Sequence, residues 1–141
     1  MSRVTHLQPE FVKFMPESFA SGKIYVSRRY STASHLCCCG CGLRVVTPFK
    51  PANWSLSESN GAVSLHPSIG NWSFPCKSHY WIEGNRVRWA GAMSPAAIAE
   101  VRARDRRDAE RLVRESWLAA MRRRVRAASI RAAEFITAWW R

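Results

Sequence analysis

His35-Leu36-Cys37-Cys38-Cys39-Gly40-Cys41-Gly42 and, some 35 residues further on, Cys76-Lys77-Ser78-His79 hold all five cysteines of this 141-residue chain. Thiolates so crowded repel one another unless they oxidise or share a cation. Cys39 and Cys41 flank a single glycine, a span too short for the Cα separation and torsion of an easy disulfide. A soft ion fits better. Zn²⁺ takes four sulfur or nitrogen ligands at about 2.0–2.3 Å, and glycines beside the ligands let the backbone wrap around it. Cys39, Cys41, Cys76 and His79 are the expected ligands, with Cys37 as the substitute. Cys38 is expected to point away from its neighbours if the stretch is extended. Two distant segments clamped by one ion imply a small, loop-rich unit that needs a metal staple.

Working outward, the flanking sequence reads as short strands. Phe11–Met15, Ile24–Ser27, Thr32–Cys39 and Leu43–Thr47 are apolar or alternating runs that end at turns or prolines. Side-chain alternation along Thr32–Cys39 would carry His35, Cys37 and Cys39 on one face. Ala62–Leu65 follows Ser59-Asn60-Gly61, and Arg86–Trp89 follows Gly84-Asn85, giving two hairpins. His66–Trp72 holds too many turn formers for a regular strand. About seven short strands make the expected fold mainly β: a zinc-stapled all-β domain over residues 1–93.

Composition changes at Met93-Ser94-Pro95. Ser94 suits an N-cap and Pro95 a first helical residue, so residues 94–141 are expected to form a helical extension rich in arginine and alanine. Ala109, Val113, Trp117, Met121 and Val125 recur every four residues, and Ile130, Phe135, Ile136, Trp139 and Trp140 supply a second apolar surface. The extension is one long helix or two, with a break expected near Ala127-Ala128-Ser129.

The net charge of +12, with a sequence pI near 10.6, favours acidic partners: nucleic acid through the basic helix, or an acidic protein. No run approaches the roughly 20 apolar residues of a membrane span, and no secretory signal is visible, so a cytoplasmic location with reduced thiols and no membrane partner is expected.

His35-x-Cys37-x-Cys39-Gly40-Cys41-Gly42, Pro48, Trp54, Leu65-His66-Pro67-Ser68-Ile69, Cys76-x-Ser78-His79-Tyr80-Trp81-Ile82 and Trp89 together resemble the BubE-like family of small bacterial proteins. The resemblance spans about residues 10–92 and does not reach the C-terminal helical region; Cys38 stands where the family pattern has proline. It implies a genetic neighbourhood of ubiquitin-like modifier, activating-enzyme-like and conjugating-enzyme-like proteins. It also implies a serine peptidase that processes or removes the modifier, with those proteins as partners.

Such chemistry needs a hydroxyl, a base touching it, an orienting group and an oxyanion hole. With His79 given to zinc, His35 and His66 remain as bases. His35 is preferred because the adjacent cluster would hold it rigidly. Ser68, in the Pro67-Ser68-Ile69-Gly70 turn, is the first candidate nucleophile; Ser78 is the alternative, and a free Cys37 thiol a further one. Residues 1–93 contain no aspartate, so the third member of a triad has no obvious source. The competing reading is a non-catalytic zinc-ribbon-like module binding nucleic acid or a partner of the conjugation pathway.

Overall fold

The computed structural model describes residues 2–139, with the side chains of the last part of the helix described as far as residue 131. Eight strands precede a single helix: β1 (Gln8–Phe11), β2 (Lys23–Ser27), β3 (Thr32–Leu36), β4 (Arg44–Pro48), β5 (Ser55–Ser59), β6 (Ala62–Gly70), β7 (His79–Glu83), β8 (Arg86–Trp89) and α1 (Pro95–Trp139). The strands form two four-stranded sheets, β1-β2-β3-β4 and β5-β6-β7-β8. The fold is therefore mainly β with a helical C-terminal element, as the sequence implies.

Both sheets turn their apolar residues to one core. Ile24, Val26, Ala33 and Val45 come from the first sheet, Val63, Leu65, Ile69, Tyr80, Ile82 and Val87 from the second, and Leu7 from the segment before β1. Burial alternates along β4 and β7, as a strand with one solvated face requires. Residues 5–7 lie against the second sheet before the chain enters the first: Leu7 N–H donates to the Asn85 carbonyl and Val87 N–H to the Thr5 carbonyl, at 2.8 and 2.9 Å. The two β-turns are read correctly from sequence. Asn60-Gly61 and Gly84-Asn85 all have positive φ, between 49° and 75°, as two-residue hairpin turns of this twist demand.

Three local expectations shift. The first strand is Gln8–Phe11, parallel to β2, not Phe11–Met15; Pro9 is tolerated because β1 is an edge strand. β3 stops at Leu36, so the cysteines fall in a turn rather than on a strand. His66–Gly70 continues β6, with an irregularity. From Leu65 to Ile69 β6 advances four residues while β7 advances only two, from Ile82 to Tyr80. The surplus residues bulge, and the turn formers in this segment supply that bulge rather than a break.

Two compact units divide the chain, residues 1–98 and 99–141. The helix opens as predicted: Ser94 Oγ accepts from the Ala97 N–H at 3.2 Å and caps an otherwise unpaired donor. It runs unbroken through Ala127-Ala128-Ser129. No glycine or proline interrupts it, alanine and arginine are strong helix formers, and the Ser129 hydroxyl is satisfied by the Val125 carbonyl at 3.0 Å. Among the described residues one ion pair lies along it, Arg111–Glu115. Val113, Trp117 and Val125 are exposed. Trp140 lies outside the described residues, as do the side chains of Phe135, Ile136 and Trp139.

Candidate functional site

The turn after β3 is closed by two hydrogen bonds, Cys37 N–H to the Leu43 carbonyl at 2.8 Å and Gly40 N–H to the Cys37 carbonyl at 3.0 Å. Gly40 and Gly42 take φ values of 86° and 76°, conformations that a side chain would oppose. The turn gathers Cys37, Cys39 and Cys41. Cys76 reaches them from the β6–β7 connection, which is tightened by Phe74 N–H to Asn71 and Lys77 N–H to Phe74, both 3.0 Å. All four sulfurs lie within 4.8 Å of one another. Cys37–Cys39, Cys41–Cys76 and Cys37–Cys76 are separated by 3.4, 3.8 and 3.9 Å. Four sulfurs at the corners of a tetrahedron, each about 2.3 Å from a central ion, would be about 3.8 Å apart. The quartet can therefore hold a metal ion. Burial raises the Cys37 and Cys39 thiols. At Cys76 burial is outweighed by hydrogen bonds from Ser78, Cys39 and Cys41, which bring the thiol down to about 7. These bonds favour the thiolate of Cys76, the form that binds a cation.

A buried polar network backs the quartet. Asn71 Nδ2 donates to Ser78 Oγ at 2.9 Å and to the Tyr80 hydroxyl at 3.4 Å. Ser78 Oγ lies 3.0 Å from Cys37 Sγ and 3.6 Å from Cys76 Sγ. The Tyr80 hydroxyl is also 2.9 Å from His35 Nε2. His35 is fully buried, and loss of solvent pushes its pKa down to about 4. Its imidazole stays neutral and bonded to tyrosine. Cys38 joins the apolar core, where burial pushes its thiol up to about 12.

The second cluster lies on the second sheet. β7 begins at His79, whose register partner on β6 is Gly70. Side chains two apart share a face of a strand, so Ser68 lies on the same side as Gly70 and beside the imidazole. His79 Nε2 is 2.9 Å from Ser68 Oγ. The bulge between Leu65 and Ile69 sets this alignment. Gly70 leaves the face open: a Cβ there would sit 2.3–2.5 Å from the Trp72 indole. Trp72 fills that space and packs on the imidazole, centroid to centroid 5.0 Å, while Trp81 lies 5.3 Å away on the neighbouring face position. Burial lowers the His79 pKa, which favours the neutral, proton-accepting ring. His79 Nδ1 is buried without a hydrogen-bond partner. Glu10, Glu58 and Glu83 are engaged by Lys23, Arg28 and Arg88, and among the described residues no carboxylate bonds the free ring nitrogen of His79.

Of the residues singled out in sequence, Cys39, Cys41 and Cys76 meet in one cluster, with Cys37 as the fourth thiol. His79 stands apart from that quartet and against Ser68. His35, expected beside Ser68, instead bonds Tyr80. Ser78 is buried among Asn71, Cys37 and Cys76 and meets no histidine. Trp72 and Gly70 were not singled out by sequence reasoning as parts of a site.

Fold and clusters together define a small two-sheet β protein with a cysteine quartet able to hold a metal and a separate serine–histidine contact. The family model for BubE, described as a bacterial ubiquitination-like system serine protease, matches residues 11–90. The chain belongs to that family, whose name implies a serine protease in such a system. No curated protein and no solved structure gave a match. The family supports partners from the ubiquitination-like pathway and lends nothing to the expectation of a nucleic-acid partner. No helix among the described residues is long and apolar enough to cross a membrane.

Proposed function

We propose that this chain is a serine peptidase that processes or deconjugates a bacterial ubiquitin-like modifier, with Ser68 as nucleophile and His79 as general base. The observation that carries the reading is the 2.9 Å contact between Ser68 Oγ and His79 Nε2. It falls within the range in which an imidazole can take a hydroxyl proton. In this scheme Ser68 Oγ attacks the scissile carbonyl as its proton passes to Nε2. The resulting imidazolium protonates the departing amine, and water, activated by the same nitrogen, releases the acyl group. A ring that accepts at Nε2 carries its proton on Nδ1. With no acceptor at that atom, the centre is a dyad, its imidazole held by Trp72 and Trp81 rather than by a carboxylate.

Cys37, Cys39, Cys41 and Cys76 are the proposed zinc ligands. Four thiolates in tetrahedral spacing suit Zn²⁺, and a site closed by four protein ligands is structural. When bound, the ion ties the β3–β4 turn to the connection that leads into His79. Activating- and conjugating-enzyme-like proteins of the same pathway are the further partners in this reading, with the cytoplasm as its setting.

Incubating a modifier precursor with the wild type and with Ser68→Ala, His79→Gln, His35→Gln and Ser78→Ala tests the assignment. Loss of the dyad hydroxyl or imidazole is expected to slow cleavage at least about a thousandfold. Unimpaired cleavage by Ser68→Ala removes the mechanism.

A further inference from the structure

A cavity of about 650 Å³ borders the part of β6 that leads into Ser68: His66 and Pro67, the two residues before Ser68, stand in its wall, whereas Ser68 and His79 do not line it. One peptide unit, about 3.8 Å between Cα atoms, separates Pro67 from Ser68. A substrate chain lying across Ser68 therefore carries neighbouring side chains within reach of this space. Its volume is that of a ligand pocket, far larger than a packing defect.

The lining gives the cavity a chemical preference. Phe49, Trp54 and Pro67 provide apolar walls, while Arg28 and Lys50 bring positive charge. Arg28 is engaged by Glu58. Among the described residues no carboxylate pairs with Lys50, an exposed side chain on the connection after β4. The pocket thus combines an aromatic and proline floor, suited to a hydrocarbon stem, with an uncompensated ammonium suited to a carboxylate at its end.

We infer that this cavity is the specificity subsite of the Ser68–His79 centre and receives an acidic side chain, glutamate in preference to glutamine or lysine, a few residues from the scissile bond. The inference rests on the reading of Ser68 as nucleophile. It adds that an acidic residue in the modifier tail, or in the segment following it, is read by Lys50.

The test separates binding from cleavage. Fluorescently labelled peptides of the cleavage junction, identical except for Glu, Gln or Lys at one position, are titrated by anisotropy against full-length Ser68→Ala protein. The position is scanned across the scissile bond. At one position Glu is expected to bind about fivefold tighter than Gln, the effect of one partly exposed charge pair. Adding Lys50→Glu reverses the order in favour of Lys. In active protein the same position shifts KM and leaves kcat nearly unchanged. No position at which Glu and Gln differ, or a preference that survives Lys50→Glu, overturns the inference. So does a short single-stranded oligonucleotide that binds where the acidic peptide does not. Cleavage that persists in Ser68→Ala sinks the catalytic reading instead, through a readout the binding comparison does not share.

Discussion

Gly70→Ala is the substitution whose consequence follows most directly from the arrangement around His79. The added Cβ would lie 2.3, 2.4 and 2.5 Å from three atoms of the Trp72 indole. Non-bonded carbon atoms settle at about 3.5–4.0 Å, so the indole must retreat by more than about 1 Å. Backbone strain does not enter, because Gly70 is absent from the residues with positive φ. The less disordered unfolded chain of the alanine variant contributes about 0.4–1 kcal/mol in favour of folding, which offsets part of the cost of moving the indole. Trp72 is only partly buried and can move, so the fold survives while the ring that packs on His79 is displaced. A misplacement of about 1 Å at a reacting group costs on the order of a hundredfold in rate, or about 2.7 kcal/mol. The expected result is a kcat reduced by about two orders of magnitude with a melting temperature near that of the wild type. Trp72→Ala, which removes the same wall without a clash, should lower kcat in the same direction. Wild-type kcat in a stable Gly70→Ala protein would refute the claim that Trp72 positions the imidazole.

The remaining predictions concern the base, the metal and the spare thiol. Because burial holds the His79 pKa below the ordinary histidine value, the neutral ring of the proposed base predominates at pH 6.5 and above, and kcat/KM should fall as pH drops through that lowered pKa. A pH–rate profile with its acid limb above 6.5 contradicts this. Strong chelation of a zinc-loaded preparation should lower the melting temperature and abolish cleavage, with both restored by zinc, since the quartet fastens the connection that delivers His79. Cys76→Ser should lose stoichiometric metal as read by elemental analysis of the purified protein. Cys38→Ala should keep it and cost only about 1–2 kcal/mol in denaturant unfolding, the price of a small core cavity.

The cysteine turn was legible because its signal is local: Cys37, Cys39 and Cys41 alternate within five residues, and Gly40 and Gly42 beside them let the backbone turn. The hairpins at Asn60-Gly61 and Gly84-Asn85 were legible for the same reason. What misled was spacing. Cys76 and His79, three apart, imitate a ligand pair, yet a loop ends between them and His79 opens β7. Its neighbours are then fixed by pairing with Gly70 rather than by distance from Cys76. That pairing depends on a bulge of four residues against two, which no period in the sequence announces. The available clue was the unusual density of turn formers in His66–Trp72 inside an otherwise strand-like region. His35 was drawn toward catalysis by its closeness to the cluster, but full burial and the Tyr80 hydroxyl account for it.

The central claim, that Ser68 is a nucleophile activated by His79, is tested most directly by covalent capture. A fluorophosphonate reacts with an activated serine hydroxyl, which displaces fluoride while the base takes the proton. Intact-mass and peptide mass spectrometry of the treated full-length protein should find one phosphonyl adduct, on Ser68, lost in His79→Gln and retained in His35→Gln. An adduct on Ser78, or labelling of Ser68 undiminished in His79→Gln, would contradict the account.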